Sequence, residues 1–143
     1  MSQVVSMRFQ DNQIERLHRM ARRLGRTPSE TGALLIEESL RQSEFGHIDF
    51  RNSPVGRQAY IKGSSLAIWE VVLIARTYEM NITQTADHLQ WPVLRVQAAI
   101  NYAASFPEEI GVAIEDAQAS DFSTLSQMLP QAEEFTVDDS SEE

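Results

Sequence analysis

Arginine is the residue type in this chain with the clearest capacity to bind another molecule. In the first part of the chain arginines recur mostly at spacings of three and four, which places them along one side of a helix, at Arg16, Arg19, Arg22, Arg23 and Arg26. A row of guanidinium groups attracts phosphates from a distance. Such a row is also the ordinary solvated side of a helix, and Glu15 can pair with Arg19 four residues later. The pattern predicts an attraction for DNA and leaves direct phosphate contact open.

The residues that usually carry catalysis are scarce or badly spaced. His18, His47 and His88 lie far apart and show no spacing typical of metal ligands. The chain has no cysteine, which excludes thiol nucleophiles and zinc-thiolate sites. We find no glycine-rich phosphate loop and no nucleophile elbow. The sequence therefore predicts a binding protein that is not an enzyme and uses neither a metal nor another cofactor.

Charge is distributed unevenly along the chain, whose net charge is -9. Residues 1–45 carry seven arginines against six acids, and residues 46–107 carry five basic residues against four acids. Residues 108–143 carry eleven acids and no Lys or Arg. A near-neutral body with an acidic tail is typical of a protein whose tail contacts a basic surface. We predict three parts with these boundaries.

The location of the protein is predicted from what the sequence lacks. The absence of cysteine fits a reducing cytoplasm. The first residues show no signal peptide, and no apolar run approaches the roughly 20 residues of a membrane span. We expect a cytoplasmic protein that does not contact a membrane.

The first ten residues alternate in a way that predicts a short β-strand over residues 4–9. Its two faces are Val5, Met7 and Phe9, and Val4, Ser6 and Arg8. Asp11 is then placed to cap a helix, and Gly25 is suited to end it. The apolar stripe of that helix is Ile14, Leu17, Ala21 and Leu24.

A second helix is predicted to begin at Thr27, because Thr27-Pro28-Ser29-Glu30 forms a capping box with proline at the first helical position. Its apolar residues cover a wide arc, which requires burial on more than one side. One strand and two helices cannot supply that cover within one chain, so we predict a homodimer. The expected dimer core is Val5, Met7, Phe9, Leu34, Leu35, Ile36 and Leu40.

The middle of the chain predicts a small helix-turn-helix-like module. Residues 43–58 resemble a linker and loop, and residues 60–63 a short strand. Three helices are expected at about 66–79, 83–89 and 92–106. The outward face of the third is expected to be Leu94, Arg95, Ala98, Asn101 and Tyr102, which includes a single base. That composition favours contact with a protein over contact with DNA.

The acidic tail mixes apolar residues with its acids, and we expect an extended or partly helical segment that becomes ordered on a partner protein. The residues predicted to contact that partner are Phe122, Leu125, Met128, Leu129 and Phe135.

The first third of the chain resembles the ribbon-helix-helix repressors. The resemblance is carried by residues 5–9, by the helix from Ile14 to Leu24, by Gly25 to Ser29 and by the apolar residues up to Leu40. It implies a dimer whose paired strands enter the major groove of double-stranded DNA. It also implies base contacts by Val4, Ser6 and Arg8, and a phosphate clamp formed by Thr27 and Ser29.

Residues 48–110 resemble a small antitoxin family, the domain of unknown function 433. The resemblance rests on Ile-Lys-Gly-Ser at 61–64, on Trp91-Pro92, on Ala-Ala-Ile-Asn-Tyr-Ala-Ala at 98–104 and on Pro-Glu-Glu-Ile at 107–110. It implies a PIN-like nuclease toxin as partner.

Together these features predict a type II antitoxin that neutralises a cognate PIN-like toxin and represses its own operon. The homodimer would join the toxin in a larger assembly. The alternative is a dimeric transcription regulator or adaptor without a toxin partner. The acidic and partly apolar tail favours the antitoxin.

Overall fold

A computed structural model describes the backbone of residues 2–128 and the side chains of residues 2–120. Within that part the order of elements is α1 (Asp11–Leu24), α2 (Pro28–Glu44), β1 (Ile48–Ser53), β2 (Gly56–Ile61), α3 (Ile68–Thr77), α4 (Ile82–Leu89), α5 (Val93–Ser105) and α6 (Pro107–Met128). No helix in it is long and apolar enough to cross a membrane.

Helices α1 and α2 pack against each other, and their ends are capped by local contacts. The N–H of Gln10 donates to Oε1 of Gln13 at the start of α1. Gly25 ends α1 with φ at 64°, a left-handed conformation that glycine adopts without strain. Thr27 begins α2 by accepting a hydrogen bond from the N–H of Glu30 at 3.1 Å. The short Arg26-Thr27 connection therefore keeps α1 and α2 side by side.

Strands β1 and β2 form an antiparallel hairpin, with Ile48 opposite Ile61 and Ser53 opposite Gly56. A two-residue turn, Pro54-Val55, joins them. The hairpin lies between the helical pair and α3, and contacts both. It places the C-terminal half of α2 against the rest of the molecule.

The hydrophobic core is built from the hairpin, α3, α5 and α6. Its largest fully buried side chain is Tyr102 of α5. Around it pack Ile48, Ala59, Ile61, Ile68, Val71, Val72, Ala99, Ile110 and Ile114. Ile110 and Ile114 are on the first turns of α6, so the beginning of the acidic segment belongs to this core. Of α1, only Ala21 is buried.

The predicted ribbon-helix-helix fold is wrong. Residues 2–10 form no strand in the described structure; two helices come first, and the antiparallel pair of strands follows them. The physical reason is that a strand needs a neighbour for its N–H and C=O groups, and no described residue pairs with residues 4–9. Their alternation of apolar and polar residues is therefore not enough to make a strand.

Two further expectations of the fold differ from the structure. The segment expected to be a loop contains β1, because Ile48 and Phe50 pack on the core and the Pro54-Val55 turn brings β2 back beside them. The tail was expected to become ordered only on a partner, but Ile110 and Ile114 pack in the core of this chain, and the start of the tail belongs to the 22-residue helix α6. Glu108 and Glu109 in its first turn suit the positive end of the helix dipole.

Candidate functional site

A basic groove lies along α1, and we call it the arginine groove. Its volume is about 410 Å³. Arg16, Arg19 and Arg23 line it, together with Gln13 and with Asn52 from β1. Its apolar lining is Leu17, Met20, Leu24 and Leu35. None of the described residues that line it is acidic, so it is suited to an anion that also carries apolar groups.

The arginines of α1 are free to meet a ligand. They are exposed, and none of them forms an ion pair with a described residue. Arg22 and Arg23 lie in the last turn of α1, where cations interact favourably with the helix dipole. The charge therefore remains available at the surface.

The residues predicted to contact DNA are all exposed, but they belong to separate elements. Val4, Ser6 and Arg8 lie in the irregular segment before α1, and Thr27 and Ser29 lie at the start of α2. The oxygen of Thr27 accepts from Glu30 N–H, which uses a lone pair and leaves the hydroxyl hydrogen able to donate. A phosphate at this helix end is compatible with the cap.

The predicted dimer core is not buried within one chain. Val5, Met7 and Phe9 are exposed, as are Ile36 and Leu40, and Leu40 is 52% exposed. Leu34 and Leu35 are half-buried on different sides of α2, where Leu34 lines one groove and Leu35 another. One chain therefore presents a substantial apolar surface around residues 4–9 and along α2.

Helix α2 is fastened to the body by Arg41. Its Nη1 donates to the hydroxyl of Tyr102 at 2.7 Å and to Oε1 of Glu109 at 2.9 Å, and its Nε donates to Glu37 at 2.8 Å. The guanidinium lies 3.7 Å from the ring centroid of Phe106. Burial alone would lower the pKa of Arg41, but these hydrogen bonds outweigh it and raise that pKa. Arg41 is therefore a fixed cation.

Tyr102 completes this network by donating its hydroxyl hydrogen to Oε2 of Glu109 at 2.7 Å. Burial is the main cause that raises the pKa of Tyr102, and the bond to Glu109 adds to it. Arg41 acts in the opposite direction. The phenol stays neutral and joins α2, α5 and α6.

A second clamp joins α2 to the hairpin. The guanidinium of Arg57 binds both carboxylate oxygens of Glu38, with Nε to Oε2 at 3.0 Å. It also donates to Oδ1 of Asn52 at 3.1 Å. The bond to Glu38 is the main cause that raises the pKa of Arg57. Because Asn52 lines the arginine groove, this clamp also sets one wall of that groove.

A second cavity, which sequence reasoning did not predict, lies between α2, the hairpin, α3 and α6, with a volume of about 540 Å³. We call it the acidic groove. Its carboxylates are Glu37, Glu38, Glu70, Glu109 and Asp116, and its arginines are Arg41 and Arg57. Both arginines are held by carboxylates already. The missed signal was the run of small and apolar residues in early α6, which suits a packed helix.

The turn before α3 holds an arginine in place. Gly63 has φ at 80°, and an added Cβ would lie 3.2 Å from Nη2 of Arg95. The same Nη2 donates to the carbonyl of Lys62 at 2.7 Å, and the guanidinium lies 4.8 Å from the ring of Trp91. On the same helix, Leu94 is 72% exposed. Asn101 is also exposed, whereas Tyr102, which was expected on the outward face, is fully buried because it packs in the centre of the core.

The remaining candidates are dispersed. Phe122, Leu125 and Met128 lie on α6, and Leu129 and Phe135 lie outside the described residues. His88 accepts or donates through Nδ1 to the hydroxyl of Tyr78 at 2.7 Å. Among the described residues, no three His, Asp or Glu side chains are grouped to hold a metal ion.

Comparisons of this chain with models of protein families, with curated proteins and with solved structures found no match. The suggestion of an antitoxin therefore depends on the residues quoted for it and on the surfaces described above.

Proposed function

We propose that this chain is a type II antitoxin. Residues 1–45 of two copies bind the DNA of its own operon, and the rest of the chain binds and neutralises a PIN-like nuclease toxin. The observation that carries the DNA-binding part is the concentration of charge in residues 8–26, with six arginines against two acids. Those arginines are exposed and have no carboxylate partner among the described residues.

Contact with DNA is assigned to both ends of the helical pair. Arg8 and Ser6 can bond base edges, and Arg is the commonest partner of guanine. Thr27 and Ser29 lie at the N-terminus of α2, where N–H groups and the helix dipole favour a phosphate. The arginines of α1 add long-range attraction.

Two copies are required because one copy leaves too much apolar surface in water. Val5 is 77% exposed and Leu40 is 52% exposed, and Met7, Phe9 and Ile36 are also exposed. An accumulation of exposed large apolar side chains supports an interface with another protein. A symmetric dimer covers the same patch on both copies at once, and it doubles the number of phosphates contacted.

The toxin-binding part is assigned to α6 and the tail beyond it. A nuclease needs a basic surface to hold RNA, and the eleven acids of residues 108–143 match such a surface. No Lys or Arg follows Arg95, so no cation is available to fill an acidic metal site. We infer that the tail blocks the RNA-binding face. Together, the antitoxin and its nuclease toxin would control transcription of their operon and cleavage of RNA in the cytoplasm.

The DNA-binding part is tested by gel shift with DNA from the chain's own upstream region and with a scrambled duplex. We expect preference for the first, and affinity that falls steeply with salt because bound phosphates release counterions. Arg19→Ala should weaken binding to both duplexes, whereas Arg76→Ala, an exposed arginine of α3, should not. Equal binding to both duplexes, or none, would contradict the proposal.

The toxin-binding part is tested by co-expression with the neighbouring gene and measurement of growth. Truncation after Ser120 keeps Ile110 and Ile114 in the core and removes the predicted contact residues. We expect the truncated chain to bind DNA at least as tightly as the full chain and to lose protection. Full protection by the truncated chain would assign neutralisation to residues 46–107 instead. Harmlessness of the neighbouring product would favour a regulator without a toxin.

A further inference from the structure

The arginine groove combines two features that are seldom found together on a DNA-binding face. Its rim carries Arg16, Arg19 and Arg23, and its floor is formed by the half-buried Leu17, Met20, Leu24 and Leu35. DNA phosphates would pair with the arginines of the rim but would leave the apolar floor exposed to water. A peptide with acidic and apolar residues in alternation would satisfy both.

The chain carries one segment of that composition outside the described residues. Residues 133–139 read Glu-Glu-Phe-Thr-Val-Asp-Asp. Two carboxylates precede Phe135 and two follow Val137, and no base interrupts them. Because Phe135 and Val137 are two residues apart, an extended backbone places both on one side.

The dimensions of groove and segment agree. The groove residues on α1 extend from Gln13 to Leu24, which corresponds to roughly 16 Å of helix at 1.5 Å per residue. Seven extended residues cover about 20 Å. The arginines span roughly 10 Å of helix from Arg16 to Arg23, and the inner acids, Glu134 and Asp138, would be about 13 Å apart on an extended backbone, so that each can reach an arginine.

Helix α6 begins beside the C-terminal half of α2. Glu109 at its start binds Arg41, near the C-terminus of α2. Farther along, Ala117 and Ser120 line the same groove as Leu34, which is nearer the N-terminus of α2. Both helices therefore line the acidic groove, and α6 continues past it to Met128.

We propose that the arginine groove is the docking site for residues 133–139 of this same chain. Phe135 and Val137 lie on the apolar floor, and the carboxylates on either side pair with Arg16, Arg19 and Arg23. The docked segment competes with phosphate for these arginines. This docking requires neither the toxin nor sequence-specific DNA binding. The docking can therefore be absent while the proposed function holds, and it can occur even if the proposed function is wrong.

The first test uses the chain truncated after Met128, which retains every described core residue, and a fluorescent peptide of residues 129–143. At about 50 mM salt, where screening is weak, we expect saturable binding to the truncated chain. Binding to the full chain should be weaker by about tenfold or more, because its groove is already occupied. Equal binding to both forms, or no binding, would overturn the proposal.

Matched variants separate docking from general attraction between opposite charges. Arg19→Glu in the truncated chain should weaken peptide binding by about tenfold, whereas Arg76→Glu should leave it unchanged. A peptide with Phe135→Ser and Val137→Ser keeps every acid and should also bind weakly. Equal loss for both arginine variants, or full binding by the serine peptide, would show that net charge alone is responsible and would overturn the docking site.

The full chain can be tested directly because it lacks cysteine. A nitroxide on Ser140→Cys should broaden the amide NMR signals of α1 around Arg16 to Leu24, and Arg19→Glu should remove that broadening. A mixture of isotope-labelled chains and nitroxide-labelled chains shows whether docking occurs within one chain. Broadening that occurs only between chains, or broadening without preference for α1, would refute docking within the chain.

Discussion

The clamp between Glu38 and Arg57 offers a sharp test of how α2 is held. The Glu38 side chain is 8% exposed, and Arg57 binds both of its oxygens while also donating to Asn52 and to the carbonyl of Phe50. Arg57→Met removes the cation but keeps much of the apolar stem. A buried carboxylate is then left without its partner.

The size of the effect follows from the difference between removing one member of a buried ion pair and replacing both members. Removal of one member of a buried ion pair costs about 3–5 kcal/mol, because the remaining charge is left without compensation in a poorly solvated site. Replacement of both members by apolar residues of similar size is often close to neutral. We therefore expect Arg57→Met to destabilise the chain by about 3–5 kcal/mol, and Glu38→Leu with Arg57→Met to recover most of that loss.

The assay is urea unfolding followed by circular dichroism, with the free energy taken from the midpoint and slope. Arg76→Met, which changes an exposed arginine of α3, is the control and should stay within about 0.5 kcal/mol of the original chain. A loss below about 1 kcal/mol for Arg57→Met would refute the assignment of a buried pair. So would a double variant as unstable as the single one.

Three further predictions concern the pH dependence of the network, the DNA contacts and the dimer. Tyr102→Phe should cost about 1.5–3 kcal/mol at neutral pH, since the hydroxyl bonds two charged groups. The pKa of Tyr102 is raised in the folded chain, so Tyr102 ionises at a lower pH in the unfolded chain than in the folded one. Above pH 10 the original protein should therefore lose up to about 1.4 kcal/mol of folding free energy per pH unit, and Tyr102→Phe should not show this loss. Equal dependence of the unfolding free energy on pH for both proteins, measured by urea unfolding, would contradict this. Arg8→Ala should cost about 1–3 kcal/mol of discrimination between DNA sequences, whereas Thr27→Ala should weaken all sequences alike and destabilise α2 by about 1 kcal/mol; gel shifts and thermal melts separate the two. Leu40→Glu should yield a monomer in sedimentation with nearly unchanged helix content, and a dimer at the same concentration would place the interface elsewhere.

Local sequence signals located the helices of the N-terminal pair, although Gln10 rather than Asp11 is the N-cap of α1. Glu30 donates its N–H to Thr27 without a reciprocal side-chain bond among the described contacts. Gly25 and Thr27 act where their chemistry indicates, one through its left-handed conformation and the other through a side-chain cap. These signals depend on residues within one turn of each other. Prediction from one sequence is most dependable for contacts of that kind.

Strand pairing depends on residues that are far apart in the sequence, so it could not be predicted from local signals. The alternation of residues 4–9 predicted a strand, but no described residue pairs with it. Ile48 and Phe50 were missed as strand residues because Gly46 and Pro54 made the region resemble a loop, while their pairing with β2 and contact with the core are nonlocal. Neither outcome is encoded within one turn of chain.

The candidate surfaces show the same difference between local signals, which the sequence reveals, and nonlocal contacts, which it does not. The arginine stripe of α1 was visible in the sequence, but its apolar floor was not, because Leu35 and Asn52 reach the groove from other elements. The acidic groove was not visible either, since four elements contribute to it. Helical periodicity places residues on one face of one helix and says nothing about which second element lies beside that face.

Helix α2 joins the two halves of the proposed function in one rigid element. Its N-terminus carries Thr27 and Ser29, which we assign to DNA, and about three turns later Glu38 and Arg41 bind the hairpin, α5 and α6. A partner that binds α6 or the acidic groove therefore touches a wall made by α2 itself. Displacement of Glu109 from Arg41 would remove one of the bonds that hold α2 to the body, and so would loosen the helix whose N-terminus we propose to bind DNA. Loss of Tyr102 from this network should accordingly weaken any coupling between partner binding and DNA binding, and should do so without changing a residue that contacts DNA.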